Sequence, residues 1–379
     1  MKNLILIATL LLSAAACEKD IFIPKPDVVD DVSYAGHPKH QAYLAQLEAY
    51  RKNSNSPGAI LLVYRQGEPL WAGAVGNANL EHQTAMRTNT PFRVGSITKT
   101  FVAAAVLKLV EQGRLSLDDK LGTRLPKVAG KIPQADQITL LHLLGHLSGI
   151  VDPPNESIRY QLDLVDNPER MDDKSIDQLL EEYVYDKPLH FEPGQAYSYS
   201  NTNYWLLGQI VEAVTGKTVQ QVLDEFIFSP LELADTYLEQ RDDRNVARGY
   251  ADLYGDGRLL DVSRWDRADT DGKASGGIIS TVADLKTFML ALMQGQLISP
   301  ASLEMMKEIQ LQGCDNIFCE YGLGLELWRF GDAIGYGHNG GSAGIEANVI
   351  FMPATGNLTV IYKNNGNGSD KGFLEGVLR

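Results

Sequence analysis

The chain has 379 residues, of which 44% are hydrophobic and 22% are charged, so it can build a large core and is too apolar for a disordered protein. Its 34 basic and 48 acidic residues leave a formal charge of −14, which repels phosphate backbones and anionic lipid heads. The composition therefore predicts no nucleic-acid partner.

The N-terminus has the plan of a secretory signal. Lys2 precedes an apolar run over residues 4–12 and the small residues of "SAAAC", which predicts a cleaved signal over residues 1–16. A run of nine residues is too short to span a bilayer core of roughly 30 Å. The cysteine after the small residues resembles a bacterial lipoprotein signal, in which Cys17 becomes the lipid-bearing N-terminus. Cleavage without lipidation remains open.

This signal predicts an exported bacterial protein that faces the periplasm or the cell surface and touches the membrane only through the lipid on Cys17. Residues 17–36 contain prolines and a run of aspartates, which is typical of a tether. The folded domain is then expected over residues 37–379.

The predicted elements follow in chain order. "HQAYLAQLEAYRKN" has helical spacing, and "GAILLVYRQGEPLWAGAVGNAN" contains two strand-like runs. Residues 101–110 predict a buried helix, residues 115–265 read as helices broken by Pro and Gly, and two further helical runs start at residue 281. Four strand-like runs and a short helix complete the chain. Strands at both ends predict an α+β fold, with one antiparallel sheet from about 37–105 and 270–379 and a mostly helical insert over about 106–269.

Two cysteines lie close together in "GCDNIFCEYG". In an exported protein they meet an oxidising compartment, so Cys314 and Cys319 are expected to form a disulfide. A metal pair is less favoured because the chain has no Cys-x-x-Cys spacing.

A serine lies three residues before a lysine in "VGSITKTF", residues 94–101, where a turn leads into the buried helix. Ser96 and Lys99 would share one face of the first helical turn, and a helix N-terminus stabilises an anion formed there. A lysine held partly out of water can lose its proton and act as a base. However, roughly one Ser-x-x-Lys match is expected by chance, and when this stretch is taken alone, an N-cap serine beside a solvated lysine is the favoured interpretation.

Two further motifs change this balance. "FEPGQAYSYSN" places Tyr199-Ser200-Asn201 before a helix, and "GYGHNGG" places His338-Asn339-Gly340 before a strand. With these three motifs in order, residues 40–379 resemble the penicillin-recognising serine hydrolases: class C β-lactamases, DD-carboxypeptidases, D-aminopeptidases and related esterases.

The resemblance implies roles for particular residues. Ser96 would be the acylated nucleophile, with Lys99 and Tyr199 moving its proton. Among the substrate-binding positions, Asn201 would hold the substrate amide and His338 would line the third wall. Backbone N–H groups of Ser96 and Gly341, next to Gly340, would form the oxyanion hole. No metal or other cofactor is implied, and the expected partner is a small-molecule or peptide substrate: a D-amino-acid peptide, an ester or a β-lactam.

The third motif departs from the Lys-Thr-Gly of β-lactamases. A lysine there meets the substrate carboxylate, whereas His338 would be charged only part of the time near neutral pH. This favours a DD-carboxypeptidase, D-amino-acid peptidase or esterase over a true class C-like β-lactamase. For His338, substrate contact and a role confined to fixing the strand edge both remain open. A catalytically silent relative that binds peptides or cell wall is the alternative from another class.

Ser342 lies in a Gly-x-Ser-x-Gly match, the nucleophile elbow of α/β-hydrolases. That elbow needs a following helix and a later histidine, but a strand is predicted next and all 7 histidines precede Ser342. We therefore expect Ser342 to be a strand-edge residue.

Overall fold

The two ends of the chain form one antiparallel sheet. In the computed structural model, which describes residues 34–241, 243–311, 320–366 and 371–378, the strands are β1 (Gly58–Tyr64), β2 (Trp71–Asn79), β3 (Thr84–Ala85), β4 (Phe92–Arg93), β5 (Tyr250–Ala251), β6 (Leu260–Asp261), β7 (Ile279–Ser280), β8 (Glu326–Phe330), β9 (Ala333–Gly341), β10 (Glu346–Met352) and β11 (Asn357–Lys363). Seven of them pair antiparallel in the order β3-β2-β1-β11-β10-β9-β8. The predicted fold class, a sheet built from both termini, is confirmed.

Helices cover this sheet and fill the middle of the chain. They are α1 (His40–Asn53), α2 (Thr98–Glu111), α3 (Leu121–Arg124), α4 (Leu140–Leu144), α5 (Pro153–Glu156), α6 (Ile158–Asp166), α7 (Pro168–Asp172), α8 (Ile176–Tyr183), α9 (Asn201–Thr215), α10 (Val219–Leu223), α11 (Ser263–Thr270), α12 (Val282–Met293), α13 (Pro300–Lys307) and α14 (Lys371–Leu378). Short 3-10 turns span Gly95–Ile97 and Pro126–Val128, and a π-helical turn spans Asp224–Phe228.

The inner strand β1 is apolar on both faces because each face meets a hydrophobic core. Ile60 and Leu62 join the large core shared with α2 and the inserted helices. Leu61 and its neighbours of the same face join a smaller core, to which α1 contributes Leu47 and α14 contributes Leu374. This two-sided burial explains the unbroken apolar run "GAILLVY".

Helix α2 is buried along most of its length, as predicted. Phe101 stacks on Phe288 of α12, with ring centroids 3.5 Å apart. The polar groups of the helix have partners: Thr98 Oγ1 accepts from the Ile278 backbone N–H at 3.0 Å, and Thr100 Oγ1 donates to the Gly324 carbonyl at 2.8 Å. Because buried polar groups must be paired, these bonds fix the helix that carries Lys99.

The segment between α2 and β7 is largely helical. It also contains a short hairpin, β5 paired with β6, where strand signals had been scarce in the sequence. The exact limits of the sheet region and of the insert stay predictions.

Several predicted features fall outside the described residues. They are the signal over residues 1–16, Cys17, most of the tether and the Cys314–Cys319 pair. Within the described ranges, no helix combines the length and the apolar character needed to cross a bilayer.

Candidate active site

Ser96 lies in the 3-10 turn that joins β4 to α2. The preceding Gly95 has a φ of 54°, a left-handed conformation that favours glycine, and a Cβ there would lie 2.8 Å from the backbone nitrogen of Gly341. The turn is therefore packed directly against the end of β9. Ser96 remains partly exposed in this position.

Lys99 is fully buried, with 0% of its surface exposed, and its Nζ has three partners. Nζ lies 3.0 Å from Ser96 Oγ, 2.8 Å from Asn201 Oδ1 and 2.6 Å from the carbonyl oxygen of Ser275. Burial lowers the pKa of Lys99 to about 7. A neutral amine can donate to the two carbonyl oxygens and accept the proton of Ser96, so this geometry suits a general base.

Tyr199 meets Ser96 from the other side. Its hydroxyl lies 2.7 Å from Ser96 Oγ, and Lys99 Nζ is 4.8 Å from the centre of its ring. Burial raises the pKa of Tyr199 well above its usual value, so its phenol stays protonated and donates to Ser96. The Ser96 hydroxyl thus lies between a neutral amine that can accept its proton and a neutral phenol that donates a hydrogen bond to it.

Asn201 is the first residue of α9 and links Lys99 to Asp152. Its Oδ1 faces Lys99 Nζ, while its Nδ2 lies 3.1 Å from Asp152 Oδ1. The same carboxylate oxygen accepts the Asn201 backbone N–H at 3.0 Å. Both ends of the amide that was predicted to hold the substrate therefore have protein partners in this structure.

Gly340 and Gly341 end β9 beside the serine turn. A Cβ at Gly340 would lie 1.9 Å from the Val94 carbonyl oxygen and 3.1 Å from the Ser96 backbone nitrogen. Only a residue without a side chain permits this approach. It brings the backbone nitrogens of Ser96 and Gly341 to one junction, which is the arrangement an oxyanion hole requires.

His338 lies on the same strand but is 0% exposed. Its Nε2 is 2.9 Å from the Tyr321 hydroxyl, and its Nδ1 is 2.5 Å from the Asn339 carbonyl oxygen. Burial lowers the pKa of His338 to about 3. The ring is thus neutral near pH 7, unlike the partial charge expected from the sequence, and its burial favours the interpretation that it fixes the strand edge.

Sequence reasoning missed four residues that adjoin these groups. Asp152 holds Asn201, the Ser275 carbonyl contacts Lys99, and Tyr321 contacts His338. The fourth is Glu326, whose Oε2 accepts the Asn339 backbone N–H at 2.9 Å and whose pKa burial raises to about 7. All four lie in or next to stretches that resemble the family: "LLHLLGHLSGI", "ASGGIISTVADL" and "YGLGLELW". Their contacts join residues that are far apart in the sequence, and such contacts leave no spacing pattern that a sequence reading could find.

His146 is a buried, hydrogen-bonded residue, as its position after an apolar helix predicts. Its φ is 59°, its Nδ1 accepts the Ser200 backbone N–H at 3.1 Å, and its ring lies 4.3 Å from that of Tyr199. Burial lowers the pKa of His146 well below its usual value, so a neutral ring supports the Tyr199 loop.

Ser342 lies in the turn after β9, and the strand β10 follows it as predicted. A nucleophile elbow would be followed by a helix. In the part of the chain that the structure describes, no group of three His, Cys, Asp or Glu side chains is arranged to hold a metal ion.

Comparison with known proteins identifies the family of the chain. The family model described as Beta-lactamase matches residues 44–376. The chain belongs to the β-lactamase family. With its mixed fold and its esterase and amidase relatives, it is a hydrolase of the serine β-lactamase fold.

Its relatives in this family differ in activity. The chain is 28% identical to Penicillin-binding protein 4 of Amycolatopsis lactamdurans, over 86% of each chain. It is 33% identical to Esterase EstB of Burkholderia gladioli, over 52% of this chain and 50% of the esterase.

Two solved structures share the fold. A D-stereospecific amidohydrolase from Streptomyces sp. has a TM-score of 0.77 and 29% identity and covers 89% of this chain and 98% of its own. A D-amino acid amidase from Ochrobactrum anthropi SV3, complexed with L-phenylalanine, has a TM-score of 0.74 and 25% identity and covers 89% of this chain and 96% of its own. The D-amino acid amidase that is similar to this chain thus binds a small amino-acid molecule, L-phenylalanine.

Proposed function

We propose that this protein is an exported serine hydrolase that forms an acyl-enzyme on Ser96 and cleaves an amide or ester bond without a metal. The observation that carries the proposal is the position of Ser96 Oγ, 3.0 Å from Lys99 Nζ and 2.7 Å from the Tyr199 hydroxyl. A serine hydroxyl between a base and a proton donor is the arrangement of an activated nucleophile.

In acylation, Ser96 Oγ forms a bond to the substrate carbonyl carbon while its proton passes to the neutral Lys99 amine. The carbonyl oxygen takes up the negative charge, and the backbone N–H groups of Ser96 and Gly341 stabilise it. The bond to the leaving amine or alcohol then breaks, and that group receives a proton from the Lys99–Tyr199 pair. The net result is an ester between Ser96 and the acyl group.

In deacylation, a water molecule repeats these steps. It loses a proton to the Lys99–Tyr199 pair, its oxygen bonds to the ester carbon, and Ser96 Oγ leaves and recovers its proton. Because Lys99 and Tyr199 both contact one serine hydroxyl, they titrate as a coupled pair, in which the neutral Lys99 amine is the proposed acceptor during acylation.

The substrate class that we favour is a D-amino-acid peptide, as in a DD-carboxypeptidase or D-amino-acid peptidase, or an ester. The buried, neutral His338 offers no cation to a substrate carboxylate, in contrast to the lysine of β-lactamases. We therefore propose slow acylation by penicillin rather than efficient β-lactamase turnover. The signal-like N-terminus supports export, with Cys17 as the lipid attachment point.

The test is intact-mass spectrometry of the purified protein after incubation with a fluorophosphonate or, separately, with benzylpenicillin, followed by peptide mapping. We expect one adduct per chain on Ser96 from the fluorophosphonate and a long-lived adduct from penicillin. The Ser96→Ala variant is expected to give neither.

The outcomes separate the alternatives. A penicillin adduct that is lost rapidly, while hydrolysed penicillin accumulates in solution, would identify a β-lactamase. The proposal fails if folded protein forms no adduct with either reagent, and that result would point to a catalytically silent binding relative. It also fails if Ser96→Ala is labelled normally.

A further inference from the structure

We propose that Asp152 is a positioning residue that orients Asn201 and directs negative charge toward Lys99, and so sets the pH range in which Ser96 reacts. This inference rests on the proposed function, because it concerns the activation of Ser96. Nothing in the three sequence motifs points to Asp152, which lies just after the apolar "GHLSGI" segment.

The geometry around Asp152 fixes one amide in one orientation. Asp152 Oδ1 accepts both the backbone N–H of Asn201, at 3.0 Å, and its side-chain Nδ2, at 3.1 Å. Two donors from one residue on one oxygen define the plane of the Asn201 amide. The opposite end of that amide, Oδ1, is thereby aimed at Lys99 Nζ at 2.8 Å.

Asp152 is fixed by hydrogen bonds to Asn155 and to the Glu156 carboxylate. It is 4% exposed, and its Oδ2 accepts from Asn155 Nδ2 at 2.5 Å. Its own backbone N–H donates to Glu156 Oε1, also at 2.5 Å. Burial raises the pKa of Asp152 above its usual value, whereas the hydrogen bonds from Asn155 and Asn201 and the nearby Lys99 favour its ionised form. Each side-chain hydrogen bond that the structure gives Asp152 is one that it accepts, which suits a carboxylate.

The Asp152 carboxylate is the strongest of the charges that favour the ammonium form of Lys99. Two other buried carboxylates act in the same direction, and the two nearby histidines and two phenols are neutral near pH 7 because burial disfavours their charged forms. The groups that face Lys99 are Asp152, Asp269, Glu326, His146, His338, Tyr199 and Tyr204.

The direction of the effect follows from these charges. Burial lowers the pKa of Lys99, and the negative charge of Asp152 opposes this effect. Removing that charge should therefore let the pKa of Lys99 fall further below its usual value. The amine then loses its proton at a lower pH, and the acidic limb of the Ser96 reaction moves to lower pH by about 1 unit. A role in folding alone would change stability but would leave this midpoint in place.

The experiment measures the rate at which a fluorophosphonate labels Ser96 of the full chain between about pH 5 and pH 9, by intact mass. The variant is Asp152→Asn, which keeps the shape and can still accept from Asn201, while the exposed Asn155 can turn its amide to match. The matched control is Asp163→Asn, an aspartate in the same helical region whose Oδ2 accepts from the Tyr183 hydroxyl at 2.7 Å.

We expect the midpoint of the acidic limb to fall by about 1 unit in Asp152→Asn, to stay in place in Asp163→Asn, and to return to the original value in Asp152→Glu, which restores the charge. If Asp152→Asn does not fold by circular dichroism, Asp152→Ser takes its place, because a hydroxyl also accepts from Asn201 without carrying charge.

Two results would overturn the proposal and can be told apart. An unchanged midpoint in folded Asp152→Asn, with or without a lower melting temperature, overturns the role of Asp152 and leaves the proposed function intact. Absence of any Ser96 adduct on the unsubstituted chain, at every pH, overturns the proposed function and the role of Asp152 with it.

Discussion

The two sides of the candidate site are built in different ways. The helical wall, defined as Ser96, Lys99, Tyr199, Asn201 and Asp152, presents polar side chains that are joined in one hydrogen-bonded chain. The strand wall, defined as residues 338–341 of β9, turns its titratable ring inward and offers backbone to the serine. In the proposed reaction, proton transfer is therefore assigned to the helical wall and fixed geometry to the strand wall.

The pleat of the strand explains its side of the comparison. Residues two apart on a strand point to the same face, so His338 and Gly340 share a face toward the serine turn. Gly340 meets the Val94 carbonyl there, with no room for a side chain, and His338 is enclosed beneath it. The strand wall therefore offers the serine turn backbone groups rather than a charged side chain of its own. Four predictions test the contrast, ordered from the largest expected effect to the smallest.

Lys99→Met removes the base of the helical wall. We expect the rate of Ser96 labelling by a fluorophosphonate to fall about 100- to 10,000-fold, because general-base catalysis is lost while the apolar volume is kept. The control is Lys108→Met on the same helix. Its Nζ donates to the Leu297 carbonyl at 3.0 Å, and the variant should label at the original rate. Equal rates in the two variants would contradict a base role for Lys99.

Gly340→Ala disturbs the strand wall without changing a charge. Its Cβ would meet the Val94 carbonyl oxygen at 1.9 Å, which forces the end of β9 away from the serine turn. We expect labelling to slow by about 100-fold, the typical cost of losing one oxyanion donor. The matched change is Gly376→Ala on α14, where nothing lies within 4 Å of the added Cβ. A normal rate in folded Gly340→Ala would show that the strand end does not align the reaction.

His338→Gln tests the neutral ring. The folded chain keeps His338 unprotonated down to about pH 3, whereas the unfolded chain takes up its proton near 6.5. As pH falls from 6.5 toward 3, the free energy of unfolding should therefore decrease, with a contribution of up to about 1.4 kcal/mol per pH unit from this group. Measured by urea titrations over that pH range, the free energy of unfolding of His338→Gln should decrease less steeply than that of the original chain. The control His82→Gln, at an exposed position, should keep the original slope. Identical slopes in all three proteins would argue against a neutral, buried His338.

Ser342→Ala is the smallest change expected. Ser342 lies in the turn beyond the strand wall and has no hydrolase elbow around it. Labelling rate and adduct mass should stay within about twofold of the original, because losing the buried Ser342 hydroxyl beside Asp266 bears on stability and leaves Ser96, Lys99 and Tyr199 unchanged. Transfer of the adduct away from Ser96, or its loss, would reopen Ser342 as a nucleophile.

The sequence predicted what depends on local pattern. Short apolar runs and alternating apolar residues identified the strands at both ends of the chain. The strongly hydrophobic segment after Ser96 identified the buried helix α2. The order of the three motifs identified the family, which the match over residues 44–376 confirms. The site roles of these motif residues stay predictions until the labelling is done.

What the tertiary structure alone decided concerns groups that act across the chain. The pairing of Lys99 with Asn201 joins residues 102 positions apart, and the link from Asn201 to Asp152 spans another 49. The charge state of His338 depends chiefly on its burial beside Tyr321, which is 17 positions away in the sequence. A motif records which side chains occur, whereas burial and the distance between charges, which set each pKa, exist only once the walls have come together.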